Sequence, residues 1–589
     1  MQKKQTILVV ASLLVVVLSV TLAYFTAQII GEGKNISVSS ADLKIVFTDT
    51  DGNIEGNGIT PGWSNSKTFT VKNESNGTYK YDIIIKDLVN TFKTYKYLQY
   101  KITSTDGGYN MTDYSYLPKS STKEDVTLAY EVSIDKGKTH TYTIEIRYVN
   151  DEYIDQSIDM GQSLNGTIYI REFTKPIMKL TDKLMADNPT IGPRTTFTAF
   201  TETNTKRLYK ATEQIGTNPV KDVYYFAGDA KNNWVKFGKT KESSCTYKGK
   251  EVFFLNMTNH TKKTPENETE CTSTNICYVL YNTGPTALYT AEETGGNGDY
   301  AVGVTESKCI EAGYTLINEK ATWSESTKDI YWRIIRTNAD GSIKLLYAGT
   351  SPDTEKAYIG KSAFNSTDGD PMYVGYKYGT TGSLENNRLN TNNSTIKTYI
   401  DNWYKNNLTA YTKYLSNDAV YCNDRNLASG QTYSTTKAFN YASYERIYTN
   451  KQPTYNCTNM SDVFSVNNTS AKLDYPVGLM SIDELSYAGG QASINLTAPY
   501  AWYYTNANGE SSYGGDYFWA LSPGRWYGSF SRVWHVCDSR FPGSLYNGYV
   551  DVSTAVRPSV SLSSCNLIFR GNGSPENPYV IYTGSGVCE

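Results

Sequence analysis

The chain has 589 residues, a formal net charge of −3, and 39% hydrophobic and 20% charged side chains. That length is too great for one ordinary core, so at least two domains are expected; the balanced charge, with no basic tail or stripe, gives no electrostatic reason to expect a nucleic-acid partner. Tyrosine is in excess, 51 against 18 phenylalanines and 9 tryptophans, a composition that suits β-strands and, on an exterior, contact with sugars or proteins.

The first element is an export signal over residues 1–30. Lys3 and Lys4 precede an apolar run from Ile7 to Phe25 in which only Ser12, Ser19 and Thr21 are polar, the charged and apolar regions of a secretory leader. Small residues mark two places for cleavage: after Ala23, with Tyr24 as the new terminus, or after Ala27, with Gln28. The run is also just long enough to cross a bilayer as one helix. A retained leader is then a single-pass anchor with everything after it outside. In an exported chain, cysteines favour disulfides over metal ligands or catalytic thiols. The candidates are Cys245, Cys271, Cys277, Cys309, Cys422, Cys457, Cys537 and Cys565, leaving Cys588 as the odd one. The pairings singled out for test are Cys422 with Cys457 and Cys537 with Cys565.

From residue 31 to 172 the hydrophobic pattern has period two. Leu43, Ile45 and Phe47 share one face, as do Tyr79, Tyr81, Ile83 and Ile85, and Tyr142, Ile144, Ile146 and Tyr148. This predicts half-buried antiparallel strands, and turn signals such as Asp106-Gly107-Gly108 between them predict a β-sandwich. The spacing Asp49-x-Asp51-x-Asn53 offers three oxygen ligands as calcium loops do. It lacks the following glycine and distal glutamate, so a turn is the favoured reading.

The leader ending Leu22-Ala23-Tyr24-Phe25-Thr26-Ala27, the strand Ala41-Asp42-Leu43-Lys44-Ile45, and the segments Ile59-Thr60-Pro61-Gly62 and Lys67-Thr68-Phe69-Thr70-Val71 resemble the TasA/camelysin family of exported Gram-positive surface and biofilm-matrix proteins. The resemblance implies a jelly-roll sandwich, removal of the leader after Ala23, and fibre assembly by strand donation between subunits. Some relatives are described as metalloproteases, but this region offers only His140 and no His-Glu-x-x-His, so a zinc protease is unsupported.

Residues 173–205 read as a linker, broken by Pro176, Pro189 and Pro193, with a helical turn at Leu180 to Met185. Residues 206–583 then form the second domain. It opens with aromatic strands at Asp222–Phe226 and Asn232–Phe237, followed by a cysteine-containing insertion at about 239–328, expected to be loops stapled by bridges without a core of their own. A hairpin is predicted where Tyr331–Arg336 and Ile343–Tyr347 flank Asp340-Gly341. Helices are predicted at Thr395–Leu408, behind a Ser394 cap, and at Ser481–Ala488, with Asp483 and Glu484 in its first turn. Strands return at Tyr517–Leu521, Arg532–Val536 and Ser559–Leu562, and residues 584–589 are a tail.

The hairpin, Tyr475-Pro476-Val477-Gly478-Leu479-Met480, Phe518-Trp519-Ala520-Leu521-Ser522-Pro523 and Val556-Arg557-Pro558 resemble a family of C-terminal domains on bacterial surface proteins, associated with the C-type-lectin-like superfamily that includes formylglycine-generating enzymes. The expected architecture is therefore mainly β, with a disulfide-containing C-type-lectin-like α+β second domain that displays long loops.

Chemistry is sparse in the residues. Three histidines, His140, His260 and His535, and no Gly-x-Ser-x-Gly elbow leave no nucleophilic triad. Formylglycine-generating enzymes use a close cysteine pair that Cys537 lacks. His535 and Cys537 alternate on one strand as half a metal site, but three or four ligands are needed. Carboxylates at Asp483, Glu484 and Asp516 are plentiful but unmarked. The residues favoured for ligand contact are Trp526, Tyr527 and Arg525, in a glycine-flanked loop, with Asp516. No cofactor is called for. The expected function is non-catalytic binding of an extracellular glycan, wall polymer or protein; the alternatives are a carbohydrate-active or formylglycine-generating-like enzyme and a self-assembling matrix fibre.

Overall fold

The computed structural model describes residues 26–31, 36–40, 43–49, 54–57, 59–151, 154–174, 178–197, 207–247, 250–255, 262–263, 265, 268–272, 276–281, 300–305, 321–584 and 586–588. The leader run from Ile7 to Phe25 lies outside them, as do Asp51, Asn53 and Cys309. Among the described residues no helix is long and apolar enough to cross a membrane.

The described residues of the N-terminal region form eleven strands: β1 Thr26–Gly31, β2 Ile36–Ser40, β3 Leu43–Asp49, β4 Ile54–Asn57, β5 Ser64–Asn73, β6 Tyr79–Asn90, β7 Leu98–Ser104, β8 Ser115–Tyr116, β9 Ser120–Ile134, β10 Thr139–Tyr148 and β11 Ser163–Glu172. They form two sheets, in the orders β4-β1-β11-β6-β9 and β2-β3-β5-β10-β7-β8. Alternation decides the faces. Phe69, Val71, Ile144 and Ile146 from one sheet and Ile83, Ile85 and Ile168 from the other meet in one fully buried cluster, each side chain contributing roughly 1.5–3 kcal/mol of burial. Polar groups inside this layer are paired: the Tyr81 hydroxyl lies 2.9 Å from His140 Nδ1 and 2.6 Å from the Tyr142 hydroxyl. Asn73, the asparagine of a sequon, is fully buried and donates to the Gly77 and Ile134 carbonyls.

Strand β1 pairs in parallel with β11, Ala27 opposite Leu164 and Gln28 opposite Asn165, and antiparallel with β4. A cut after Ala23 leaves this strand whole, whereas a cut after Ala27 removes its first two residues.

The chain divides into two compact units, and the sandwich shares the first of them with the larger C-terminal body; the second comprises Phe237–Ile330 and Trp403–Ala410. Tyrosines line the seam inside the first unit. Tyr582 donates to Glu131 at 2.7 Å, the Tyr116 and Tyr331 hydroxyls are 3.0 Å apart, and Lys96 pairs with Asp353. The predicted linker is not a free connector. Leu180–Asp187 is a helix, and Thr190–Pro193 is a strand parallel to Arg207–Glu213. Pro193 sits where it costs little, because it ends an edge strand.

The second unit also corrects the expectation of coreless loops. Tyr300–Thr305 pairs with both Lys250–Leu255 and Ile276–Tyr281, and the Cys245–Cys271 disulfide lies in a small core with Tyr247, Val252 and Ala321. Cys277 stands in that sheet, opposite Val304.

In the C-terminal body the predicted hairpin is present, Trp332 opposite Tyr347 and Ile334 opposite Leu345. Gly341 takes the positive φ of 81° that its turn requires. Ser559–Leu562 extends this sheet, and Val477–Gly478 pairs beyond it. A second sheet carries Phe518–Trp526, Ser531–Val536 and Leu545–Tyr549 side by side. The helix Thr395–Asn407 begins with Lys397 donating to the Ser394 hydroxyl and buries Ile396 and Ile400. Disulfides Cys422–Cys457 and Cys565–Cys588 close two further loops. Cys588 is therefore not the unpaired cysteine. Cys537, expected to bridge to Cys565, is free and buried, because its strand places it inside the body while Cys565 and the chain end meet elsewhere.

Candidate functional site

A hairpin strand as buried as Tyr331–Thr337 admits a charge only if partners reach it. Two arginines lie within it. Arg333 donates to Asn233 at 2.6 Å and to the Ala230 carbonyl at 2.6 Å. Arg336 donates through Nη2 to Glu213 at 2.8 Å and through Nε to Glu484 at 2.9 Å, and Lys344, on the returning strand, reaches the same Glu484 oxygen at 2.8 Å. The other Glu484 oxygen accepts from the Ser481 amide and completes a capping box for the helix Ile482–Tyr487. Burial raises the Glu484 pKa, but Lys344 and Arg336 outweigh it and hold the carboxyl below its usual range. Asp483, next to it, is gripped through both oxygens by Arg446 at 2.9 and 2.8 Å. These two acids were expected at the helix start, where they are. They are committed to cations and caps.

Glu213 joins this buried network to an open cleft of about 540 Å³. Its second oxygen accepts from the Ala339 amide at 2.6 Å, so each carboxylate oxygen is held by a partner at the cleft floor. The far wall consists of two loops tied by the Cys422–Cys457 bridge and by pairing of Tyr421 with Phe464. Asp462 anchors them from inside, accepting from Arg425 at 2.7 Å and Arg388 at 2.7 Å, and Asn459 and Asn468 cap the short turns that follow. The result is a rigid mouth with Ile215, Pro219 and the half-exposed Met460 as its apolar part and Asn218, Lys221, Asp418 and Asn467 as its polar part. Asn467 donates to Asp418 at 2.8 Å, and both residues line the cleft. Neighbouring amide and carboxylate groups of this kind accept and donate to vicinal hydroxyls.

The residues expected to contact ligand separate in the structure. Trp526 is 1% exposed and is core, because the hairpin continues through it instead of opening into a loop there. Asp516 faces Lys361 at 2.5 Å, away from the others. Arg525 and Tyr527 do stay together at the surface, the guanidinium 4.5 Å from the ring centroid. Arg532, not singled out from the sequence, stands opposite Arg525 in the strand register and lies 4.8 Å from the same ring. A signal existed: Gly528 in the four-residue connection between Trp526 and Ser531 has φ 87°, and a hairpin centred there places Arg525 across from Arg532. The cleft had no such signal, since its walls come from four distant segments.

His535 and Cys537 are both buried. Burial holds the imidazole down at about 4, so the ring is neutral at physiological pH, and pushes the Cys537 thiol up to about 12. Among the described residues no group of three or more histidines, cysteines and acids is placed to hold a metal. Asp49 lies in β3 opposite Phe69, while its proposed partners fall outside the described residues. No protein-family model matches the chain, and no curated protein matches it either.

Proposed function

We propose that this is an exported bacterial surface protein whose C-terminal body binds an extracellular glycan in the cleft beside Glu213. The observation that carries the reading is the cleft mouth, where Asp418, Asn467, Asn218 and Lys221 present hydrogen-bonding groups around a small apolar patch. Sugars offer the complementary surface, with hydroxyls at the edge and C–H groups on the face. Rigid walls favour affinity because little ordering is left for binding to impose. Three disulfides among the described residues fit an oxidising, extracellular setting. In this reading the sandwich is a TasA/camelysin-type jelly roll and the body a C-type-lectin-like scaffold with long loops.

A glycan array probed with the full chain tests it. Binding to a defined glycan that weakens at least about tenfold in Asp418→Ala and Asn467→Ala, from loss of one or two hydrogen bonds to a charged or amide group, supports the cleft. Binding that both variants leave intact refutes it, as does an array with no hit.

The position of β1 favours a second reading. A strand that follows directly on the leader and pairs on both sides is suited to exchange between copies once the leader is removed. Terminal sequencing that finds Tyr24, with filaments in electron micrographs of the processed chain, supports assembly; a terminus at Gln28 or monomers at all concentrations argues against it. A terminus at Met1 instead marks the retained anchor.

A further inference from the structure

Arg525 and Arg532 face one another across the hairpin Phe518–Trp526 and Ser531–Val536. Like charges directly opposite in a sheet are destabilising, and no carboxylate among the described residues comes within ion-pair distance of either. Each guanidinium has five N–H donors, yet Arg525 makes one hydrogen bond, to the Tyr444 hydroxyl, and Arg532 one, to the Asn547 carbonyl, both at 3.4 Å. The Nε of each is buried without a partner, an omission that costs about 1–3 kcal/mol apiece. Both side chains are partly exposed, and of their guanidinium nitrogens only Nε is buried without a partner.

What holds them is aromatic. Arg525 lies over Tyr444 at 4.8 Å and Tyr527 at 4.5 Å, and Arg532 over Tyr527 at 4.8 Å and Tyr549 at 4.4 Å. Tyr527 in turn stacks on Phe530 at 4.9 Å. Stacking on ring faces fixes the guanidinium planes and leaves their N–H edges available. The two cations share one ring, Tyr527, and occupy paired positions of one hairpin.

We propose that this pair is a binding site for a tetrahedral oxyanion, a phosphate or sulfate group. A carboxylate has two oxygens, which one arginine fork satisfies; a tetrahedral anion carries oxygens enough for both forks at once. The anion would cancel the cross-strand repulsion and accept from the Nη N–H groups, which are not among the buried unpartnered atoms. The site is separate from the cleft and does not depend on a glycan binding there.

Calorimetric titration of the full chain with inorganic phosphate, and with polyphosphate, at low salt tests the assignment. Phosphate binding is expected in the parent, weakened at least about tenfold in Arg525→Gln and in Arg532→Gln, since each loses a charged hydrogen-bonding fork. Lys221→Gln, in the cleft, leaves it unchanged. Arg525→Lys, which keeps the charge and the fold but loses the fork, also weakens it. Polyphosphate binding more tightly per phosphate than the free ion identifies a polymer-borne group as the source; equal binding identifies the free anion. Absence of phosphate binding in the parent overturns the site. So does equal binding by the folded Arg525→Gln/Arg532→Gln double variant, an Arg525→Lys chain that binds like the parent, or an equal loss in Lys221→Gln.

Discussion

The sandwich and the C-terminal body lie in the same compact unit and are held together by different physics. In the sandwich, stability comes from alternation: β5, β7 and β10 bury every second side chain in one apolar cluster shared with the facing sheet, and most of its buried polar groups are neutral side chains paired between strands. In the body, a central strand pair carries Arg333, Arg336 and Lys344 into the interior, and residues 100 to 140 positions away close their hydrogen bonds. Hydrocarbon packing is forgiving of exact identity. A buried ion network is not, because removing one partner leaves the others charged and dry.

Substitutions measure that difference. Glu484→Ala strands Arg336 and Lys344 and is expected to lower unfolding free energy by about 3–5 kcal/mol, read from urea midpoints; a loss under about 1 kcal/mol would mean that water replaces the carboxylate and the network is not structural. Replacing both Cys422 and Cys457 by serine opens a loop with a sequence separation of 35 and is expected to cost about 3–4 kcal/mol. On the proposed reading, binding of a glycan in the cleft should weaken with it, since the same bridge ties the cleft wall. An unchanged midpoint would show that pairing of the two loops suffices.

The pH dependence follows from His535. Its folded-state pKa is depressed by burial to about 4 from 6.5, so the unfolded chain binds more protons between those values. The stability that His535 contributes is complete above pH 6.5 and falls as pH drops towards about 4, by about 3 kcal/mol at most. His535→Phe, in a pocket of Tyr517, Trp519 and Tyr546 rings, should flatten that slope. Glu484 acts lower: its depressed pKa stabilises the fold above the usual carboxylate range and the contribution disappears as acid protonates it. The smallest effect is expected in the sandwich, where Ile144→Val should cost about 0.5–1.5 kcal/mol, with β10 keeping its exchange protection.

Much of the sandwich was legible because its rule is local. Phe69, Ile83, Ile144 and Ile146 point inward for no reason beyond period two. The hairpin at Gly341 and the helix behind Ser394 were legible for the same kind of reason, a turn and a cap that depend on a few adjacent residues. Errors came where a residue's surroundings are set at long range. Trp526 sits beside glycines, which suggests a loop, yet the neighbouring strands bury it. Cys588 sits in a polar tail, yet the chain end folds back to Cys565. Glu484 was expected as a helix-dipole acid; what it neutralises, Arg336 and Lys344, lies about 140–150 positions earlier.

The sequence by itself determined the alternating strand faces of the sandwich and the main hairpin, because each follows from side-chain period or from chemistry shared by neighbouring residues. Only the tertiary structure decided which cysteines pair, that Arg525 meets Arg532 over Tyr527, and that four distant segments enclose a cleft around Asp418 and Asn467. Those outcomes depend on distances between residues far apart in the chain, which burial of the two β-layers sets and no local pattern encodes.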